Sequence, residues 1–252
     1  MGKIPENYLE RVYAGWLGKI VGIRLGAATD GWPYEKIQRV CGAIWHYPAS
    51  YKKFAAAADS NGPPCLIRAL EECEDLAQFS AQDVGNALLN YAPFEHGFFW
   101  WGGYGVSTEH TAYLNLRAGI PAPRSGSIQQ NGATMAEQIG GQIFIDPWGL
   151  VSPGNPAQAA SLAKKAASVT HDPEDWRACF RYIQENFGYD KYPGNCHILP
   201  NAAVMVLSLL YGEGDFTRTL CICTMCGWDT DCNVGNIGCI LGAHCGVQGI
   251  DA

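Results

Sequence analysis

Apolar residues recur at spacings of three and four along most of this chain. From Asn7 to Gly26, Leu9, Val12, Tyr13, Trp16, Leu17, Ile20 and Val21 keep that rhythm and predict an amphipathic helix. Gly15, Gly18, Gly22 and Gly26 keep it too, drawing a ridge without side chains along the same helix. Each glycine costs up to about 1 kcal/mol of helix propensity relative to alanine, so the ridge implies close approach of another backbone or a ligand. Gly235, Gly238 and Gly242 repeat the spacing in an apolar C-terminal run. Two such helices in contact would make a natural central pair.

Local signals extend the helical reading. Pro63 or Pro64 opens a helix through Leu66, Ile67, Ala69 and Leu70. Ser80-Ala-Gln-Asp83 is a variant of the capping box ahead of Val84, Ala87, Leu88 and Leu89. Thr108 to Ala118 is closed by Gly119 and Pro121. Further helices are predicted from Asn131 or Thr134 to Ile145, Asn155 to His171, Asp172 to Phe187, Pro200 to Tyr211 and Asp215 to Cys226. Asp172-Pro-Glu-Asp175 reads as an N-cap, a proline at the first helical position and acid in the first turn. No stretch alternates apolar and polar residues as a half-buried strand does, so the predicted fold is all-α. Ala27 to Asn61 and Pro93 to Ser107 are rich in Gly, Pro and aromatics, and read as ordered loops over the core, where sites tend to be built. No internal repeat, low-complexity tract or boundary interrupts the chain, which reads as one domain over residues 1–252.

Composition narrows the classes of function. The 252 residues carry 17 Lys and Arg against 24 Asp and Glu, a formal charge of −7, with no basic run. That lacks the electrostatic footprint of a nucleic-acid or anionic-membrane binder, and a buried small-molecule site is the better expectation. Apolar runs such as Ala202 to Leu210 are too short for a bilayer, and Met1 to Glu6 carries no apolar signal region, so a cytoplasmic protein is expected. Cys221, Cys223, Cys226, Cys232, Cys239 and Cys245, out of eleven cysteines, crowd into the C-terminal stretch. Cys223-Thr-Met-Cys226 is a lone CxxC without the second pair a closed zinc site needs, so buried thiols packing as small hydrophobes are the expectation.

The sharpest candidate for chemistry is Gly227-Trp-Asp229-Thr-Asp231-Cys-Asn233, between two apolar helices. Carboxylates so spaced at a helix start can both be reached by a hard cation, and the helix end offers N–H groups to an anion. A plain N-cap role for Asp229 or Asp231 is the alternative, although a cap needs neither a second carboxylate nor a Trp beside a glycine ridge. The aromatic run Phe98 to Tyr104 reads as packing in preference to an adenine platform. His197 and Asp215 lie near helix ends, where turn and capping roles are the default.

Gly227 to Gly242, Gly-Trp-Asp-Thr-Asp-Cys-Asn-Val-Gly-Asn-Ile-Gly-Cys-Ile-Leu-Gly, resembles the C-terminal signature of the ADP-ribosylglycohydrolase family. The opening helix Ala14 to Gly26, the block from Thr108-Glu109 through Asn115 to Pro121, and Ile139-Gly-Gly-Gln142 to Gly149 with Pro153-Gly154 and Ser168 to Asp172 are similar to further family blocks. The resemblance implies a single compact orthogonal helical bundle with a binuclear Mg²⁺ centre. It also implies hydrolysis of the glycosidic bond of ADP-ribose attached to a protein or a small acceptor. Mapped by motif, Asp229 and Asp231 are metal ligands, Asp229 shares the catalytic role with Asp30, and His171 and Asp172 border the substrate. Asp30 stands where the family usually carries Glu.

Departures from the pattern shape the alternative. Where relatives place consecutive aspartates, this chain has Asp59-Ser-Asn-Gly-Pro-Pro-Cys65, so Asp59, or a carboxylate such as Glu109, is left to complete the metal shell. Cys232 replaces a usual Thr or Ser oxygen and is a softer partner for Mg²⁺. The chain reads as shortened relative to the family near 172–173 and at its C-terminus. These features imply either a metal-dependent hydrolase with two ions, fewer or none, or a catalytically impaired relative that binds an ADP-ribose-like or nucleotide-sugar ligand.

Overall fold

A computed structural model describes residues 4, 6–27, 29, 34–43, 58–96, 99–138, 140–172, 176–192, 197–230, 233–238 and 240–241. Among them the secondary structure is entirely helical, with no strand, as the periodicity predicts. The chain divides into two compact units, Met1–Asp172 and Pro173–Ala252, and each is described on its own.

The N-terminal unit runs α1 (Tyr8–Gly26), α2 (Tyr34–Val40), α3 (Ala58–Ile67), α4 (Ala81–Tyr91) and α5 (Thr108–Arg117). It continues with short pieces α6 (Ile128–Asn131), α7 (Ala133–Ala136), α8 (Gly140–Ile143) and α9 (Asp146–Leu150), then α10 (Pro156–Ala167). Helix α4 packs against α3, α5 and α10. Leu66, Val84, Leu88, Ala112, Trp148 and Val169 form the centre of its core. The local signals that start these helices work as expected. Ser80 Oγ accepts from the Asp83 N–H (3.4 Å) while the Asp83 carboxylate accepts from the Ser80 N–H (2.7 Å), a complete capping box. Asn155 Oδ1 accepts from the Gln158 N–H ahead of Pro156 (3.1 Å).

Three expectations change. The prolines do not open α3. The helix starts at Ala58 and carries Pro63 and Pro64 inside it, where their missing N–H groups leave carbonyls one turn back without helical partners. Packing outweighs that cost: Ser60, Gly62, Pro63 and Leu66 are buried, and a Cβ at Gly62 would lie 2.7 Å from the Phe144 ring. The helix predicted from Asn131 or Thr134 to Ile145 is replaced by the short pieces α6 to α8, and the first break, between α6 and α7, falls at Gly132, whose positive φ of 78° no helix continues. Within the loop predicted from Ala27 to Asn61, α2 and the start of α3 are helical.

The glycine ridge also behaves differently. Among the described residues nothing lies within 4 Å of a Cβ built at Gly18, Gly22, Gly26 or Gly235, and Gly238 meets only Leu220, at 4.0 Å. The expected close approach is therefore not met at these positions. Helix α1 packs against α3, Leu150 lies 3.6 Å from a Cβ built at Gly15, and polar ties add to this, with the Tyr8 hydroxyl donating to the Leu150 carbonyl and Lys19 Nζ donating to the Ile143 carbonyl (2.8 Å) and pairing with Asp146.

The C-terminal unit holds α11 (Trp176–Phe187), α12 (Ile198–Tyr211) and α13 (Phe216–Met225), with helical residues again at 233–238 and 240–241. Helix α12 packs against both α11 and α13 around Ile183, Val204, Leu207, Ile222 and Cys226. Asp215 Oδ1 caps α13 by accepting from the Arg218 N–H (2.6 Å). His197 is the N-cap of α12, its Nδ1 accepting from the Leu199 N–H (3.3 Å), which is the capping role expected of it. The Asp172-Pro173 helix start lies partly outside the described residues. No helix of the described residues is long and apolar enough to cross a membrane.

Candidate functional site

In the C-terminal unit the chain leaves α13 through two consecutive left-handed residues, Gly227 (φ 75°) and Trp228 (φ 61°). Glycine adopts this conformation freely, whereas for Trp it costs roughly 1–2 kcal/mol. The indole is held by a near-parallel stack on Tyr189, with centroids 5.1 Å apart and planes 11° off. Tyr189 itself sits in a short 3₁₀ turn, Tyr189–Lys191. Together with Phe180, Ile183, Pro200 and Val204, these two rings line a cavity of about 140 Å³.

The turn delivers Asp229 to a polar network. Asn201 on α12 donates through Nδ2 to Asp229 Oδ2 (2.6 Å). The Tyr189 hydroxyl donates to Asn201 Oδ1 (2.5 Å), and Asn233 Nδ2 donates to the Tyr189 oxygen (3.0 Å). The Asn233 N–H donates to the Asp229 carbonyl (3.1 Å). Tyr189, Asn201 and Asn233 are buried, and Asp229 is half-buried. Burial is the main force raising the Tyr189 phenol above its ordinary pKa, and the Asp229 charge adds to it. Asn233 Oδ1 is buried without a hydrogen-bond partner among the described residues. Asp231 and Cys232, like Asp30, lie outside the described residues.

The Gly227 to Asn233 motif holds Asp229 and Asn233, although it assigns Asn233 no role, and it does not contain Tyr189. Asn201 carried one signal, its place in His197 followed by Pro200-Asn201, a stretch that resembles the family pattern. Tyr189 carried none, because its role arises from chain segments meeting in space.

The N-terminal unit builds a second polar cluster around His171. The residue is 4% exposed, its Nδ1 shares a 2.6 Å hydrogen bond with Thr170 Oγ1, and its Nε2 has no partner among the described residues. Burial lowers its pKa to about 4, so the ring is neutral near pH 7. Two glycines make room for it: a Cβ at Gly140 would stand 2.8 Å from His171 Cε1, and one at Gly141 3.2 Å from Cγ. Asp172 is half-buried, and its carboxylate accepts from the Ile128 N–H at the head of α6 (3.2 Å). Glu109 is buried in the first turn of α5, where its carboxylate accepts from the Ser107 hydroxyl (2.9 Å). Asp59 lies half-buried in the first turn of α3.

Two other expectations concern chemistry that this arrangement does not use. Cys223 and Cys226 are buried free thiols, and burial pushes the Cys226 thiol up to about 12, which suits packing and not thiolate chemistry. Phe99 and Trp101 pack with Phe94, His110 and Tyr113, so this part of the aromatic run serves the core.

Among the described residues no three His, Cys, Asp or Glu side chains gather as a metal site. The donor types nevertheless fit a hard cation, because the Asp229 network combines a carboxylate with the unpartnered amide oxygen of Asn233. No curated protein and no solved structure matches the chain. The family model described as ADP-ribosylglycohydrolase matches residues 4–184 and 182–252, so the chain belongs to the ADP-ribosylglycohydrolase family.

Proposed function

We propose that the protein is a Mg²⁺-dependent hydrolase of the ADP-ribosylglycohydrolase type, cleaving the glycosidic bond of ADP-ribose attached to a protein or a small acceptor. Family membership supports the type of hydrolase, and the held Asp229 carboxylate is the observation that supports the site. Asp229 and Asp231 are the ligands assigned to the cation, and Asp59 is a further candidate ligand. When bound, Mg²⁺ supplies Lewis-acid polarisation and orientation of oxygen ligands. Asp229 and Asp30 are assigned the catalytic carboxylate roles, assisting attack on the anomeric carbon as positive charge develops on the sugar. His171 and Asp172 are assigned to substrate. The unpartnered His171 Nε2 supports that assignment, because a buried ring nitrogen without a hydrogen bond costs about 1–3 kcal/mol unless something meets it.

A specific observation favours a second reading, an impaired relative that only binds an ADP-ribose-like or nucleotide-sugar ligand. The segment that carries consecutive aspartates in the family is here the buried, proline-containing turn of α3, and Gly62, Pro63 and Pro64 offer no side-chain oxygen. Release of ADP-ribose from ADP-ribosylated protein and small-molecule substrates, measured with Mg²⁺ and after chelation, separates the two. Mg²⁺-dependent release supports the hydrolase. Saturable ADP-ribose binding without release supports the second reading, and release indifferent to chelation contradicts the metal role.

A further inference from the structure

Asn201 is not a carboxylate and lies outside the Gly227 to Gly242 signature, yet its amide grips the carboxylate of Asp229. We propose that Asn201, locked by Tyr189 and Asn233, is a positioning residue that fixes the orientation of the Asp229 carboxylate for a bound cation. The proposal rests on the reading of Asp229 as a metal ligand.

An asparagine amide has a donor end and an acceptor end, and only the donor end can hold a carboxylate. Here the choice is made by the neighbours. The Tyr189 hydroxyl donates to Asn201 Oδ1 (2.5 Å), so Nδ2 is turned toward Asp229. Asn233 Nδ2 donates to the Tyr189 oxygen (3.0 Å), which commits the phenolic hydrogen to Asn201. Hydrogen-bond polarity therefore runs one way, from Asn233 through Tyr189 and Asn201 to Asp229. A flipped Asn201 amide would set its oxygen against the carboxylate and lose the Tyr189 bond as well. Relative exposures of 1% for Asn233, 6% for Tyr189 and 9% for Asn201 keep water from substituting for these partners. The Asn233 N–H to Asp229 carbonyl bond ties the first member of the series back to the backbone of the last. Asn201 stands on α12, packed on two sides, so the carboxylate is referred to a rigid element and not to the turn that carries it.

Partners that orient a metal ligand typically change metal affinity about 10–100-fold when removed. The test is calorimetric titration of the full chain with Mn²⁺, using wild type, Asn201→Ala, Tyr189→Phe, the double variant and Asp229→Asn, with thermal unfolding of each. The expected result is loss of Mn²⁺ binding in Asp229→Asn and weakening by about 10–100-fold in Asn201→Ala. Tyr189→Phe, which keeps the stacked ring, is expected to weaken binding several-fold. The double variant should bind no more weakly than Asn201→Ala alone, because Tyr189 acts through Asn201. If Asn201→Ala does not fold, Tyr189→Phe decides. Wild-type affinity in both single variants while Asp229→Asn fails to bind would overturn the positioning role and leave the metal site standing. No Mn²⁺ binding by the wild type, or unchanged binding by Asp229→Asn, would overturn the metal site and the positioning role with it.

Discussion

His171 ties the stability of the N-terminal unit to pH. The fold keeps its ring neutral down to about pH 4, whereas an unfolded histidine takes up a proton near 6.5, so between those values the unfolded chain binds more protons. The contribution is fully present above pH 6.5 and is lost as pH falls toward 4, the loss reaching about 2–3 kcal/mol by pH 4.5. Urea unfolding at pH 7.5 and 4.5 should therefore show a fall in stability that shrinks by about that amount in His171→Gln. Equal falls in the two proteins would contradict the buried, neutral ring. The glycines around that ring make a second residue-scale prediction. Gly140→Ala drives a methyl group to 2.8 Å from His171 and should destabilise by about 1–3 kcal/mol, read as a lowered Tm. Unchanged Tm would mean that the ring has room to move. The Gly-Gly pair is visible in the sequence, but what it makes room for is not, because His171 is distant along the chain and adjacent only in space.

Among the elements, α1 separates a propensity cost from a packing need. Among the described residues nothing comes within 4 Å of where a Cβ would stand at Gly18 or Gly22, so Gly18→Ala and Gly22→Ala should each raise stability by up to about 1 kcal/mol in thermal unfolding. A loss in both would show that the ridge is closed by a partner after all. Ser80→Ala, by contrast, removes one half of a complete capping box and should cost about 1 kcal/mol by the same measurement. These elements show what the sequence makes legible. Ser80, Asn155 and Asp215 cap helices through contacts three residues away, so their signals are local and their helices follow. The packing of Phe144 over Gly62 within α3 and the break between α6 and α7 at the positive φ of Gly132 are set by tertiary contact and backbone conformation. Neither is encoded in a short pattern. The ridge is legible as a propensity cost, and among the described residues nothing comes within 4 Å of a Cβ built at Gly18, Gly22 or Gly26.

Over the whole molecule, the helical architecture and the family were both legible, because periodicity and motif blocks run through most of the chain and the family match covers both units. The candidate site was legible only where its chemistry sits in one motif. Asp229 follows from Gly227 to Asn233, whereas Asn201 reaches it from α12 and is itself held by Tyr189 from a 3₁₀ turn. The charge of −7 disfavours long-range attraction of an anionic substrate, so the phosphate-bearing ligand and cation proposed above would have to be held by local groups. That places the whole account on the carboxylates of the C-terminal motif. The most direct measurement is the rate of ADP-ribose release by wild type, Asp229→Asn and Asp231→Asn at saturating Mg²⁺, with Tm recorded for each. The account predicts a fall on the order of 100-fold or more in each variant with the fold retained. Release at the wild-type rate by folded Asp229→Asn and Asp231→Asn would contradict it.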